Sequence, residues 1–155
     1  MKTITVEMVR NWEPCYDPTE VVPKDWEGTA LDVLHLPISA EDKLWVVLCE
    51  EAISFDVLRE FSHWCALQVA HLCDTPDIVM QYLSTGDEEL RDAALNAATT
   101  IDSVYFIARA MRSAILAAIM VSPIIAARAA RQSTSATNGD AQVEKLKEML
   151  TRHIE

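Results

Sequence analysis

The chain has 155 residues, half of them hydrophobic and only three of them glycine, with a formal net charge of -11. That length supports one ordinary core, the hydrophobic content argues against a disordered chain, and the scarcity of glycine argues against a turn-rich all-β fold. The charge is uneven: residues 1–100 hold 19 Asp or Glu against 6 Lys or Arg, and residues 101–155 hold 5 against 7, so long-range electrostatics repel nucleic acid from the first part.

In chain order, the first 28 residues stand apart. Ile4, Val6 and Met8 alternate with Thr5 and Glu7, a period that suits a short strand paired with Glu20-Val21-Val22 or with another copy of the chain. A short helix or an extended arm packed on the body is the other reading. Prolines at 14, 18 and 23 punctuate the loop that follows, and Trp12 and Trp26 flank it, either pinning it to the core or anchoring a partner.

From Thr29 helical signals dominate. Thr29 to Leu36 predicts a short helix ended before Pro37, and Ser39-Ala40-Glu41-Asp42 reads as a capping box opening a helix with Leu44, Trp45, Val47 and Leu48 as its buried stripe. Ser54 caps a longer helix to about Leu72. Leu58, Phe61, Cys65, Val69 and Leu72 form its apolar face, and Asp56, Arg59, Glu60 and His63 its solvent face. Pro76 suits the first turn of the next helix, and Ser84-Thr85-Gly86-Asp87 ends it.

Between Glu88 and Arg131, 13 of 44 residues are alanine, glycine is absent and Pro123 is the only proline. Small side chains over that length predict closely packed helices with a break near Thr99-Thr100 and a kink or division at Ser122-Pro123. Gln132 to Gly139 reads as a linker, after which Asp140 caps a last amphipathic helix carrying Val143, Leu146, Met149, Leu150 and Ile154 on one side. The expected fold is all-α, a multi-helix bundle with an irregular N-terminal arm that has room for one short β-strand. Its expected segments are an arm at 1–28, a helical core at 29–131, a linker at 132–139 and a C-terminal helix at 140–155.

The N-terminus has no extended apolar core and no small-residue cleavage site, and the longest uncharged apolar run, Ser113 to Ala127, spans only 15 residues. The expectation is a cytoplasmic protein with no membrane span. Cys15, Cys49, Cys65 and Cys73 are then expected as reduced thiols.

Candidates for chemistry are few. His63-x-Cys65 and His71-x-Cys73 repeat a spacing that invites a zinc reading, but positions two apart diverge by about 200° on a helix and no C-x-x-C occurs. Neither a metal nor a cofactor is expected. The carboxylate pairs Glu50-Glu51 and Glu88-Glu89 sit beside predicted helix ends, where solvation and dipole complementarity account for them. Glycine-rich phosphate loops, Gly-x-Ser-x-Gly and His-Glu-x-x-His are absent. Arg109 with Arg112, and Arg128 with Arg131, are pairs three apart on shared helix faces. They either neutralise the acidic helices or, if the pairs converge, form an anion site.

The succession Glu41 to Leu48, then Leu58-Arg59-Glu60-Phe61 and Trp64-Cys65-Ala66, then Gly86-Asp87-Glu88-Glu89-Leu90 before an alanine-rich tract resembles a group of helical bacterial and phage proteins related to the immunity proteins of polymorphic toxin systems. The resemblance covers residues 29–131, and the Trp12 to Trp26 loop and the C-terminal helix depart from it. It implies stoichiometric binding and neutralisation of a toxin, with no catalytic residues. The reading that follows is a non-enzymatic, acidic helical binding protein that occupies a basic partner, a nuclease or a nucleic-acid-binding defence protein, and does not bind nucleic acid itself. Its contact residues would be Trp12, Trp26, Glu50, Glu51, Asp56, Glu60, Asp87, Glu88 and Glu89. The alternative is an assembly protein that homodimerises through residues 140–155. An enzyme reading would need an arginine pair and His63 or His71 to meet in one pocket.

Overall fold

The N-terminal pattern resolves into both of the elements it admits. In the computed structural model, which describes residues 2–49, 51–72, 74–101, 112, 115, 116, 118, 119 and 139–153, Ile4–Thr5 is strand β1 and Val6–Asn11 is helix α1. The alternation stops at Thr5 because its side chain accepts a hydrogen bond from the Met8 amide at 3.2 Å and starts a helix. Val6 and Val9 then form the buried face. β1 pairs antiparallel with β2, Glu27–Gly28, with Ile4 opposite Gly28 and Thr5 opposite Glu27. The partner is therefore neither Glu20-Val21-Val22 nor a second chain. Pro18–Glu20 is a 3-10 turn, with Asp17 accepting from the Thr19 amide at 2.9 Å. A Cβ at position 28 would meet the Trp26 ring and come within 3.1 Å of the Asp32 Cβ, so any residue but glycine there requires the indole to shift.

Two short helices follow. α2, Ala30–His35, opens on a reciprocal capping box: the Thr29 hydroxyl accepts from the Asp32 amide at 3.3 Å, and the Thr29 amide donates to the Asp32 carboxylate at 2.7 Å. It stops at Leu36, whose ψ of 151° is the extended conformation that a following proline demands. α3, Ala40–Val47, has Ser39 as N-cap, accepting from the Asp42 amide at 3.0 Å. Asp42 does not complete the box through the backbone; it accepts the Ser39 hydroxyl at 2.6 Å. Leu44, Val46 and Val47 are the buried residues of α3, while Trp45 is half-buried and so stands outside the expected stripe.

The C-terminal helix α7, Gly139–Arg152, packs on α2 and α3 of its own chain. Val143, Leu146, Met149 and Leu150 are buried along it as the pattern requires. A Cβ at Gly139 would stand 3.1 Å from the Ala40 Cβ, so the start of α7 lies close over the start of α3. The exposed face compensates its own charge through Lys145–Glu148 and Glu144–Lys147 pairs at 2.8 and 2.7 Å. Met1–Ser54 and Gly139–Glu155 make one compact unit.

Phe55–Asn138 makes the second. Its described elements are α4 (Phe55–Ala70), α5 (Asp77–Thr85), a 3-10 turn at Glu88–Leu90 and α6 (Arg91–Ala98), with α5 packed on both α4 and α6. Pro76 precedes α5 as its N-cap instead of entering the first turn, and Gly86 closes α5 at φ 68°, a left-handed position that glycine occupies without strain. α6 ends at Ala98, at the expected Thr99-Thr100 break. Ala66, Ala70, Ala94, Ala98 and Ala118 share a core with Val79, Tyr82, Leu83, Ile101, Ile115 and Ile119, so Ala94, Ala98 and Ala118 of the alanine-rich tract are interior. Two expectations for α4 are corrected. His63 is 6% exposed and Leu72 is 59% exposed. The buried face of α4 includes Ser62, Ala66 and Ala70, small residues that a hydrophobic pattern undercounts, and this rotates the interior toward His63; Leu72 lies beyond the helix end. The Ser122-Pro123 kink, Ile154 and residues 132–138 of the linker lie outside the described residues. The fold is all-α apart from the two-residue strands β1 and β2, among the described residues.

Leu146→Ala leaves a cavity under α7 and is expected to destabilise the protein by about 2–5 kcal/mol in urea denaturation. Gly28→Ala drives a methyl group into the Trp26 ring and the α2 cap, with an expected loss of about 1–3 kcal/mol by the same measurement.

Candidate functional site

The acidic residues singled out from the sequence fall in both units. In the second unit, Asp56 lies in the first turn of α4 and Arg59 one turn on, their side chains 3.1 Å apart. The other arm of the Arg59 guanidinium reaches Glu88 at 2.7 Å, and the second Glu88 oxygen is 3.9 Å from Arg91. Arg91 in turn donates its Nε to the Ile119 carbonyl at 3.1 Å, joining the two ends of the described part of the alanine-rich tract. These ion pairs are exposed, so each contributes at most about 1 kcal/mol, and their main effect is to orient side chains. Asp56 and Glu88 are therefore held by a common arginine and are not free for a partner without breaking that contact.

Their neighbours differ. Asp87 caps the 3-10 turn by accepting from the Glu89 amide at 3.0 Å, and Asp87, Glu89 and Asp92 are all exposed. Among the described residues no cation lies within 4 Å of these three carboxylates. Glu60 is half-buried. Over residues 55–138, nine Asp or Glu stand against six Arg. A negative potential at this surface follows from that imbalance. Glu51 is exposed in the first unit, and Glu50 lies outside the described residues.

His63 and Tyr82 lie near enough to Arg59 and Glu88 to feel their charges. Their rings meet edge to face, centroids 5.0 Å apart at 60°. Burial pushes the His63 imidazole down to about 4, helped by the Arg59 charge and opposed by Glu88 and the Ala118 carbonyl. Its Nε2 has no hydrogen-bond partner among the described residues. Burial also raises the Tyr82 hydroxyl, with Glu88 acting in the same direction. The buried His63 ring packed on Tyr82 is part of the interior of this unit. His71, the other histidine of the His-x-Cys repeat, is exposed.

The four arginines expected as an anion site are only partly visible. Arg112 is described and half-buried; Arg109, Arg128 and Arg131 lie outside the described residues. The arginines seen to neutralise acidic helices are Arg59 and Arg91. Asp56 and Arg59 could be paired from their helical spacing, but Glu88 lies 29 residues from Arg59 and no local pattern joins them.

In the first unit the two flanking tryptophans have separate fates. Trp26 folds over Gly28 and serves the β1–β2 pairing. Trp12 is the C-cap residue of α1, half-exposed, with its ring 6.5 Å from that of Trp45 on α3 at 72°. Glu13, next in the chain, has φ 56°, a left-handed conformation that costs a non-glycine residue about 1–2 kcal/mol. The loop beyond is fastened by Arg10, whose Nη2 donates to both Asp17 oxygens at 2.8 and 3.0 Å. Hydrogen bonds from the Thr19 amide and hydroxyl, with Arg10 added, lower Asp17 to about 2.

Among the described residues no group of three His, Cys, Asp or Glu is placed to hold a metal ion. Cys65 is buried, as is His63, which the sequence reading put on the opposite face; Cys73 lies outside the described residues. Cys49 is buried and its thiol approaches the Trp45 carbonyl at 3.5 Å, whereas Cys15 is exposed. No helix among the described residues is long and apolar enough to cross a membrane. No protein-family model, curated protein or solved structure matches this chain.

His63 generates a pH dependence. Its folded value of about 4 lies below the ordinary 6.5, so the unfolded chain takes up a proton first and stability falls as pH drops from about 6.5 to 4. Urea denaturation at pH 7 and pH 4 is expected to show this as a loss of about 3 kcal/mol in excess of the loss for His63→Leu, which has no proton to take up.

Proposed function

We propose that this chain is an acidic helical binding protein of the immunity or phage-inhibitor kind, acting in the cytoplasm by occupying a basic partner protein such as a nuclease or another nucleic-acid-binding defence protein. One observation carries the reading: Asp87, Glu89 and Asp92 are exposed and, among the described residues, no cation lies within 4 Å of them. Such a surface speeds encounter with a cationic protein and rejects nucleic acid. Asp56 and Glu88 contribute through Arg59, which fixes where their charge stands. The acidic neighbours, not those two, make the primary contact.

The resemblance of residues 29–131 to immunity-related helical proteins points in the same direction, toward stoichiometric binding without chemistry. Self-assembly through residues 140–155 is the weaker reading, because the apolar residues Val143, Leu146, Met149 and Leu150 that would drive it are already buried in a helix packed on its own chain.

Binding to a panel of purified basic nucleases tests this function. At least one is expected to form a 1:1 complex whose association rate falls with added salt, and the Asp87→Asn, Glu89→Gln, Asp92→Asn triple variant is expected to associate about tenfold more slowly. Failure of every panel member to bind at low salt would overturn the proposal.

A further inference from the structure

We draw no further inference here: the strongest candidate, the side-chain cluster of buried His63 and Tyr82 in the interior of the second unit, carries nothing further because its one consequence, the loss of stability in acid, belongs to the site already described.

Discussion

Close approach of backbones at small side chains is the constraint on which the rest of this structure depends. In the second unit Ala66, Ala70, Ala94, Ala98 and Ala118 are essentially inaccessible to solvent and share a core with Val79, Tyr82, Leu83 and three isoleucines. Alanine buries little area of its own, so such a core is stabilised by the larger residues between the alanine contacts and by the dispersion gained at short range. The first unit uses the same device at single positions: Gly139 over Ala40, and Gly28 under the Trp26 ring.

This packing determines where polar groups end up. Ser62, Ala66 and Ala70 turn the face of α4 inward, and His63 is carried into the interior with them. There it stays neutral, edge to face with Tyr82, near the Arg59 and Glu88 pair. Negative charge is pushed to the rim of the unit, and two arginines hold part of it in register while Asp87, Glu89 and Asp92 project into solvent. The result is an acidic surface above an alanine-containing core.

A carboxylate-rich surface acts over a Debye length, about 8 Å at physiological salt, and so influences the rate and sign of encounters.

Much of the helical frame was legible locally. The cap at Ser39, the stop before Pro37, the Gly86 terminus, the Thr99-Thr100 break and the apolar stripe of the last helix all follow from residue-level stereochemistry and from a 3.6-residue period. The strand partner of Ile4–Thr5, the burial of His63, the Arg59–Glu88 contact and the meeting of Trp12 with Trp45 did not. Each joins residues far apart in the chain or depends on a face built from alanine and serine, which hydrophobic patterns weigh lightly. By itself, then, the sequence determined an all-α, acidic, glycine-poor chain and the ends of most described helices, because those depend on interactions spanning at most four residues. Only the tertiary structure decided which polar groups are buried, which acids are paired and which aromatics converge, because those depend on how closely small side chains let distant segments approach.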